Sequence, residues 1–140
     1  MEYKKVDKEL AKEFLLTAKA DLKSAEIELK GGIYNNSAYH SQQAVEKALK
    51  ALLILHNKFV ESHFVADRVK GIIKNQKIIN AAKSLEKNWI ITRYPFKRKA
   101  EIWSPVKEFT KLDAEDGLKK AKYVVREITK ILKEKYGIKI

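Results

Sequence analysis

Apolar residues recur along this chain at helical spacing, in long stretches separated by short polar breaks. From Asp7 to about Lys30, Leu10, Ala11, Phe14, Leu15, Ala18, Leu22, Ala25 and Leu29 form the stripe of a helix with one buried face. Asp7 is placed to cap its start. A thinner line of Leu16, Ala20 and Ile27 runs along the far side, and it fits either ordinary exposed surface or contact with another subunit. Gly31-Gly32 ends the stretch, as glycine does beyond helix C-termini. So short a connection predicts that the next helix returns antiparallel.

That second helix, from about Tyr34 to His56, is the most informative part of the chain. Ala38, Val45, Ala48, Leu49, Ala51, Leu52, Leu53 and Leu55 share one broad arc, while Tyr39, His40, Gln43, Glu46, Lys47 and Lys50 crowd the opposite side. The arc is wider than a single seam requires, so more than one neighbour is expected, including a second copy of the chain. Alanines at 44, 48 and 51 would let one neighbour approach closely. Ser62 is then expected to cap a shorter helix through about Lys74, with Phe64, Val65, Val69, Ile72 and Ile73 inward. Gln76 to Asn88 repeats the pattern with Ile78, Ile79, Ala82 and Leu85. Trp89 to Leu112 loses the periodicity and holds both prolines, Pro95 and Pro105. It reads as a long loop, a feature that is usually functional or mobile in a compact domain. Asp113, followed by Glu115 and Asp116, starts a last helix well. Its apolar face is Leu118, Ala121, Val124, Val125, Ile128, Ile131 and Leu132, and it ends near Tyr136-Gly137. No strand pattern and no internal repeat stands out. The expected fold is all-α: an antiparallel up-and-down helical bundle of three long helices plus short ones, as one domain over residues 1–140.

Composition narrows the chemistry. A length of 140 residues suits one real core, and the lack of cysteine removes disulfides and thiolate metal sites. Met1-Glu2-Tyr3-Lys4-Lys5-Val6-Asp7 has no apolar core of a signal peptide, and no apolar run approaches the roughly 18–20 residues of a membrane span. A soluble, cytoplasmic protein with no membrane partner is expected. The net charge of +12 is uneven. Residues 1–67 hold ten basic and ten acidic side chains, residues 68–111 hold twelve and three, and the remaining +3 lies in 112–140. A basic block of this kind suits nucleic acid, phosphate or an acidic protein.

No G-x-x-x-x-G-K-[ST] loop and no H-x-x-x-H or H-E-x-x-H pair is present, so no metal or resident cofactor is expected, a bound nucleotide aside. Two constellations remain. His40, Gln43, Lys47 and Lys50 fall in one row of the second helix, with Glu46–Lys50 spaced as a routine surface ion pair. Thr92-Arg93-Tyr94-Pro95-Phe96-Lys97-Arg98-Lys99 mixes cations that hold phosphate with rings that stack on bases. Trp89 and Trp103 flank that loop as core pins or stacking platforms. His56 reads as a packed residue at a helix end, and His63 as a residue at a helix start.

The block Ala38-Tyr39-His40-Ser41-Gln42-Gln43-Ala44-Val45-Glu46-Lys47-Ala48-Leu49-Lys50-Ala51 resembles the signature of the HEPN family, the higher eukaryotes and prokaryotes nucleotide-binding domains. Weaker pieces follow the same order: Ala18-Lys19-Ala20-Asp21-Leu22, Gly31-Gly32-Ile33-Tyr34, Ser62-His63, Thr92-Arg93-Tyr94-Pro95 and the helix from Asp113. The resemblance implies a helical bundle, often a homodimer, working around nucleotides or RNA. It also implies a minimal nucleotidyltransferase as partner in toxin–antitoxin-like modules. One departure matters. Ribonuclease members carry Arg, four to six residues, then His, whereas residues 33–35, 49–51 and 56–58 before the three histidines contain no arginine. The leading expectation is a non-catalytic module with no catalytic residues. It would bind nucleotide or nucleic-acid phosphate through Arg93, Tyr94, Lys97 and Arg98, with His40, Gln43 and Lys47. The alternatives are a ribonuclease toxin with a non-standard site and a structural subunit that binds an acidic protein.

Overall fold

The computed structural model describes residues 5–140; Met1–Lys4, part of the signal-peptide reading, lie outside the described residues. Helix α1 (Lys5–Lys30) and helix α2 (Tyr34–Leu55) are followed by a 3-10 turn (Ala66–Val69), α3 (Gln76–Glu86) and α4 (Asn88–Ile91). Strands β1 (Phe96–Arg98) and β2 (Glu101–Trp103), α5 (Pro105–Glu108) and α6 (Lys111–Tyr136) complete the chain. The three long helices, α1, α2 and α6, make the bundle, as the periodicity predicts. The turn between α1 and α2 closes at Gly32, whose φ of +78° suits glycine, with the Ile33 N–H donating back to the Glu28 carbonyl.

Helix α2 is the centre of the molecule. From Ser41 to Leu55 only Lys47 escapes full burial. It packs on α1 along one side and on α6 along another, and α3, α4, α5 and the 3-10 turn cover the rest. The broad apolar arc is therefore filled within one chain and leaves no face for a second copy. The line Leu16 and Ile27 on α1 does stay exposed. Where α6 crosses α2, Gly117 lies over Ser41; a Cβ there would sit 3.7 Å from both Ser41 and Leu85.

Several local expectations are corrected. Leu10 is exposed, because α1 buries a narrow line of Ala11, Leu15, Ala18 and Ala25 and Leu10 falls beside it. Helix α1 starts at Lys5, so Asp7 sits in its first turn rather than at its cap. Ser62 starts no helix: its hydroxyl accepts the Phe64 N–H, a local turn that competes with helix, and only the 3-10 turn follows. Phe64 is consequently 47% exposed rather than inward. Helix α6 is capped by Thr110, not Asp113, in a reciprocal capping box with Asp113 at its third position. The long irregular stretch contains a small antiparallel hairpin, which pairs Phe96 with Trp103, Lys97 with Ile102 and Arg98 with Glu101. Its turn places Lys99 at a left-handed φ of 54°. Three-residue strands with exposed faces carry too little alternation to be read from sequence.

The far end of the bundle is clasped by His56, which follows α2, and Tyr136, which ends α6; ring and hydroxyl are hydrogen-bonded. Burial, then the positive charges of Lys58 and Lys135, hold the His56 pKa below its ordinary value. A base with a depressed folded pKa contributes stability that is full above its unfolded pKa, about 6.5. That contribution is lost as pH falls from there toward the folded value. Chemical denaturation from pH 7.5 to 5 should therefore show a smaller acid-induced loss for His56→Gln than for the parent. Identical pH profiles would refute the assignment.

Candidate functional site

The side of α2 expected to face solvent is mostly internal. Gln43, Glu46 and Lys50 are buried, at 8%, 5% and 6% exposure. Burying these groups is tolerable only because each finds a partner. Glu46 is the hub. Its carboxylate accepts from Gln42 Nε2 at 3.1 Å, Lys50 Nζ at 3.1 Å and His63 Nδ1 at 3.0 Å. Gln43 Nε2 donates to Gln42 Oε1 at 2.7 Å and so joins the same network. The Glu46–Lys50 pair is thus a buried ion pair, not a solvated one. His40 and Lys47 turn toward α1: His40 Nδ1 bonds Glu28 Oε1 at 2.6 Å, and Lys47 Nζ donates to Asp21 Oδ2 at 2.7 Å. The row His40, Gln43, Lys47 and Lys50 is a set of internal ties rather than an open ligand surface.

Beside this network lies a ladder of rings and cations. The His63 ring stacks on Trp89 with centroids 4.0 Å apart and planes 20° apart, and Phe64 meets Trp89 edge-on. Arg93 Cζ lies 4.9 Å from the Trp89 ring, 5.2 Å from Tyr39 and 5.3 Å from Tyr94. Each such interaction contributes about 0.5–2 kcal/mol, according to its exposure. Arg93 Nε also donates to the Trp89 carbonyl at 2.9 Å. Asn35, in the first turn of α2, holds the segment by donating Nδ2 to the Thr92 carbonyl at 3.0 Å. The structure thereby joins the two constellations: Tyr39, edge-on to His40, is also a wall of the Arg93 cage.

Lys97 and Arg98 stand on the hairpin, exposed, with Tyr94 also exposed at 64%. Arg98 Cζ lies 4.8 Å over Trp103, which stacks on Phe96 and donates Nε1 to the Ile91 carbonyl at 2.8 Å. Among the described residues, no carboxylate lies within 4.0 Å of Arg93, Lys97 or Arg98. The rest of the basic middle segment does not gather with them. Lys70 and Lys83 pair with Asp67 at 2.7 and 3.0 Å, and Lys77 reaches over Tyr123 of α6. Glu86, whose carboxylate accepts the Ala66 N–H, is pushed above the usual carboxylate range by burial. Among the described residues, no cluster of His, Asp and Glu has the makings of a metal centre. No helix among them is long and apolar enough to cross a membrane.

The sequence of the HEPN domain matches this chain over residues 11–132. This chain belongs to the HEPN domain family. A protein of Methanocaldococcus jannaschii named "Putative toxin MJ1304" is 42% identical to it over 92% of each chain. Among solved structures, TT1696 from Thermus thermophilus superposes with a TM-score of 0.75 at 28% identity, over 86% of this chain and 96% of that one. ST0689, an archaeal HEPN homologue, gives 0.68 at 25% identity, over 92% and 98%. In HEPN terms, the block Ala38–Ala51 that carries the resemblance is the buried centre of the bundle. The weaker pieces Ser62-His63 and Thr92–Pro95 are the segments that fold against it.

Sequence reasoning missed the stack of His63, Trp89 and Arg93. Its members come from separate segments, so no local spacing relates them. The Glu46 hub yields a stability test. Glu46→Ala strands the Lys50 ammonium and the Gln42 amide in the interior, and should destabilise the fold by about 3–5 kcal/mol in urea denaturation. Glu46→Gln keeps a carbonyl acceptor and should cost less. Equal, small losses for both would show that the network contributes little.

Proposed function

We propose that this HEPN protein is a non-catalytic module that grips the phosphates of a nucleotide or RNA through Arg93, Lys97 and Arg98. It would do so as the helical partner of a minimal nucleotidyltransferase in a toxin–antitoxin-like system. The observation that carries the reading is Arg93. Its guanidinium is held among Tyr39, Trp89 and Tyr94, anchored at Nε, with no carboxylate to neutralise it. A planar cation fixed in that way suits a phosphate, which it engages bidentately. Lys97 and Arg98 add positive charge on the adjoining hairpin, and the exposed Tyr94 ring suits a base. Of the row on α2, His40 reaches the site through Tyr39, a wall of the Arg93 cage, while Gln43 and Lys47 are tied to Gln42 and Asp21. The relative named as a toxin supports the toxin–antitoxin setting.

A second reading has its own observation. Glu46 orients His63 through Nδ1, and the ring is braced on Trp89, which also meets Arg93. A carboxylate-oriented imidazole is the arrangement of a general base or acid. A ribonuclease would then work without the Arg-x4–6-His spacing.

One experiment separates the two. Short labelled RNA should bind the parent with steep salt dependence, and Arg93→Ala/Lys97→Ala/Arg98→Ala should flatten the log–log salt slope by about 2. Binding at low salt should fall roughly tenfold for each phosphate-gripping side chain removed. The RNA should remain full length after incubation with the parent. Shortened RNA, with cutting abolished in His63→Ala, would replace the binding reading by the ribonuclease one. Unchanged binding by the triple variant would exclude the loop as the site.

Homodimerisation is part of the proposal, now resting on the exposed Leu16 and Ile27 of α1. Sedimentation at micromolar concentration should give about twice the chain mass of 16.2 kDa. Leu16→Glu/Ile27→Glu should return the monomer; a parent that is monomeric throughout would sink this element.

A further inference from the structure

The strongest charged surface outside the candidate site runs along α6. Lys119, Lys122, Arg126 and Lys130 follow one another at three- and four-residue steps, so they form a single row on the exposed side of that helix. Two clefts flank the row. One, of about 460 Å³, lies between α3 and α6 and is lined by Lys77, Ala81, Lys119, Lys122, Tyr123 and Arg126 among others. The other, of about 340 Å³, lies between α1 and α6, where Lys19 and Leu22 face Lys122, Arg126 and Lys130. Lys122 and Arg126 belong to both, so the clefts and the ridge between them are one continuous surface.

Little on the protein neutralises it. Lys120 pairs with Asp116 at 2.9 Å and Lys122 with Glu26 at 2.9 Å. Arg126 reaches only its chain neighbour Glu127, at 3.7 Å. Among the described residues, Lys19, Lys77, Lys119 and Lys130 have no carboxylate within 4.0 Å. Cations this close repel one another, and an anion that spans them removes the repulsion. Self-pairing would set the row against its own copy and double that repulsion, so a second copy is a poor occupant.

We infer that the exposed face of α6 is a second, sequence-independent binding surface for the phosphate backbone of single-stranded nucleic acid, separate from the Arg93 loop. The helical rise sets successive cations about 4.5–6 Å apart along the axis, a spacing that suits successive phosphates of an extended strand. The one ring in the row is not available for stacking. Tyr123 is covered by Lys77, whose Nζ lies 4.3 Å from the ring centroid, and by Arg126 at 5.5 Å, while its hydroxyl accepts from Asn75. Binding is therefore confined to phosphate, which carries no sequence information. A protein partner fits less well, because interface cores are depleted in lysine and anchored by aromatic side chains. Glu108, Asp113 and Asp116, together with Lys87 and Lys120, line the cleft that lies between this face and Trp103 of the hairpin, and Asp116 also borders the α3–α6 cleft, where it pairs with Lys120.

The test uses the full chain and a labelled oligoadenylate of about 16 nucleotides, the upper end of single-strand site sizes. Lys119→Gln/Arg126→Gln/Lys130→Gln removes three exposed charges, with the Arg126 contacts to Glu127 and Tyr123, and leaves the pairs of Lys120 and Lys122 in place. Its salt slope should be smaller than the parent's by about 2, and oligoadenylate and oligouridylate should weaken alike. The same change should appear in the Arg93→Ala/Lys97→Ala/Arg98→Ala background, so failure of the loop reading leaves this result legible. An unchanged slope overturns the inference. So does displacement of the strand by polyglutamate at equal charge, which would mark a surface for acidic protein. Displacement by tripolyphosphate at equal phosphate concentration would mark a small-anion site and overturn it as well.

Discussion

Everything else in this structure follows from where α2 lies. A helix surrounded on all sides would ordinarily be apolar all round, yet α2 brings Gln42, Gln43, Glu46 and Lys50 inside. Such groups are tolerated in an interior only with partners, and the partners define the architecture around them. Glu46 draws in His63 from the segment after α2, and His63 in turn seats Trp89. Asn35 pins Thr92, and Tyr39 walls in Arg93. Hydrogen bonds and ring contacts that lead back to this one helix hold the segments around His63 and Thr92. The helices themselves are fixed independently, by apolar packing between α1, α2 and α6.

The bundle was legible because its information is local. Leu118, Ala121, Val124, Val125, Ile128 and Leu132 repeat within one helix, and their spacing alone implies a buried face. The polar side of α2 misled for the same reason. Spacing shows that Gln43, Glu46 and Lys50 share a side, but not that the segment after α2 folds back over it. The segment after Ser62 failed differently, because a hydroxyl bonded two residues on closes a turn where apolar spacing suggests helix. Among the candidate residues, Arg93, Tyr94, Lys97 and Arg98 stand out by composition, as cations and rings in an aperiodic stretch. Their neighbours Tyr39, His63 and Trp89 were not assembled, because only tertiary packing brings them together.

Charge shows the same divide. Sequence blocks placed the excess in residues 68–111, where Lys70 and Lys83 turn out to share Asp67. Helix α6 looked only mildly basic because the acids at 113, 115 and 116 dilute its count, yet those acids lie in its opening turns and the cations along one row beyond. Net charge summed along a chain is a poor guide to potential over a surface. Helical projection restores part of it, and the packing of α1 and α3 against α6 supplies the rest.

The Arg93 cage has a thermodynamic consequence. A free arginine side chain carries about 2 kcal/mol of rotameric entropy, part of which must be surrendered when it clamps a ligand. Here three rings and a backbone carbonyl have already restricted those rotamers during folding. Any anion that meets this guanidinium finds it in position, so the ordering cost falls on the fold rather than on the encounter.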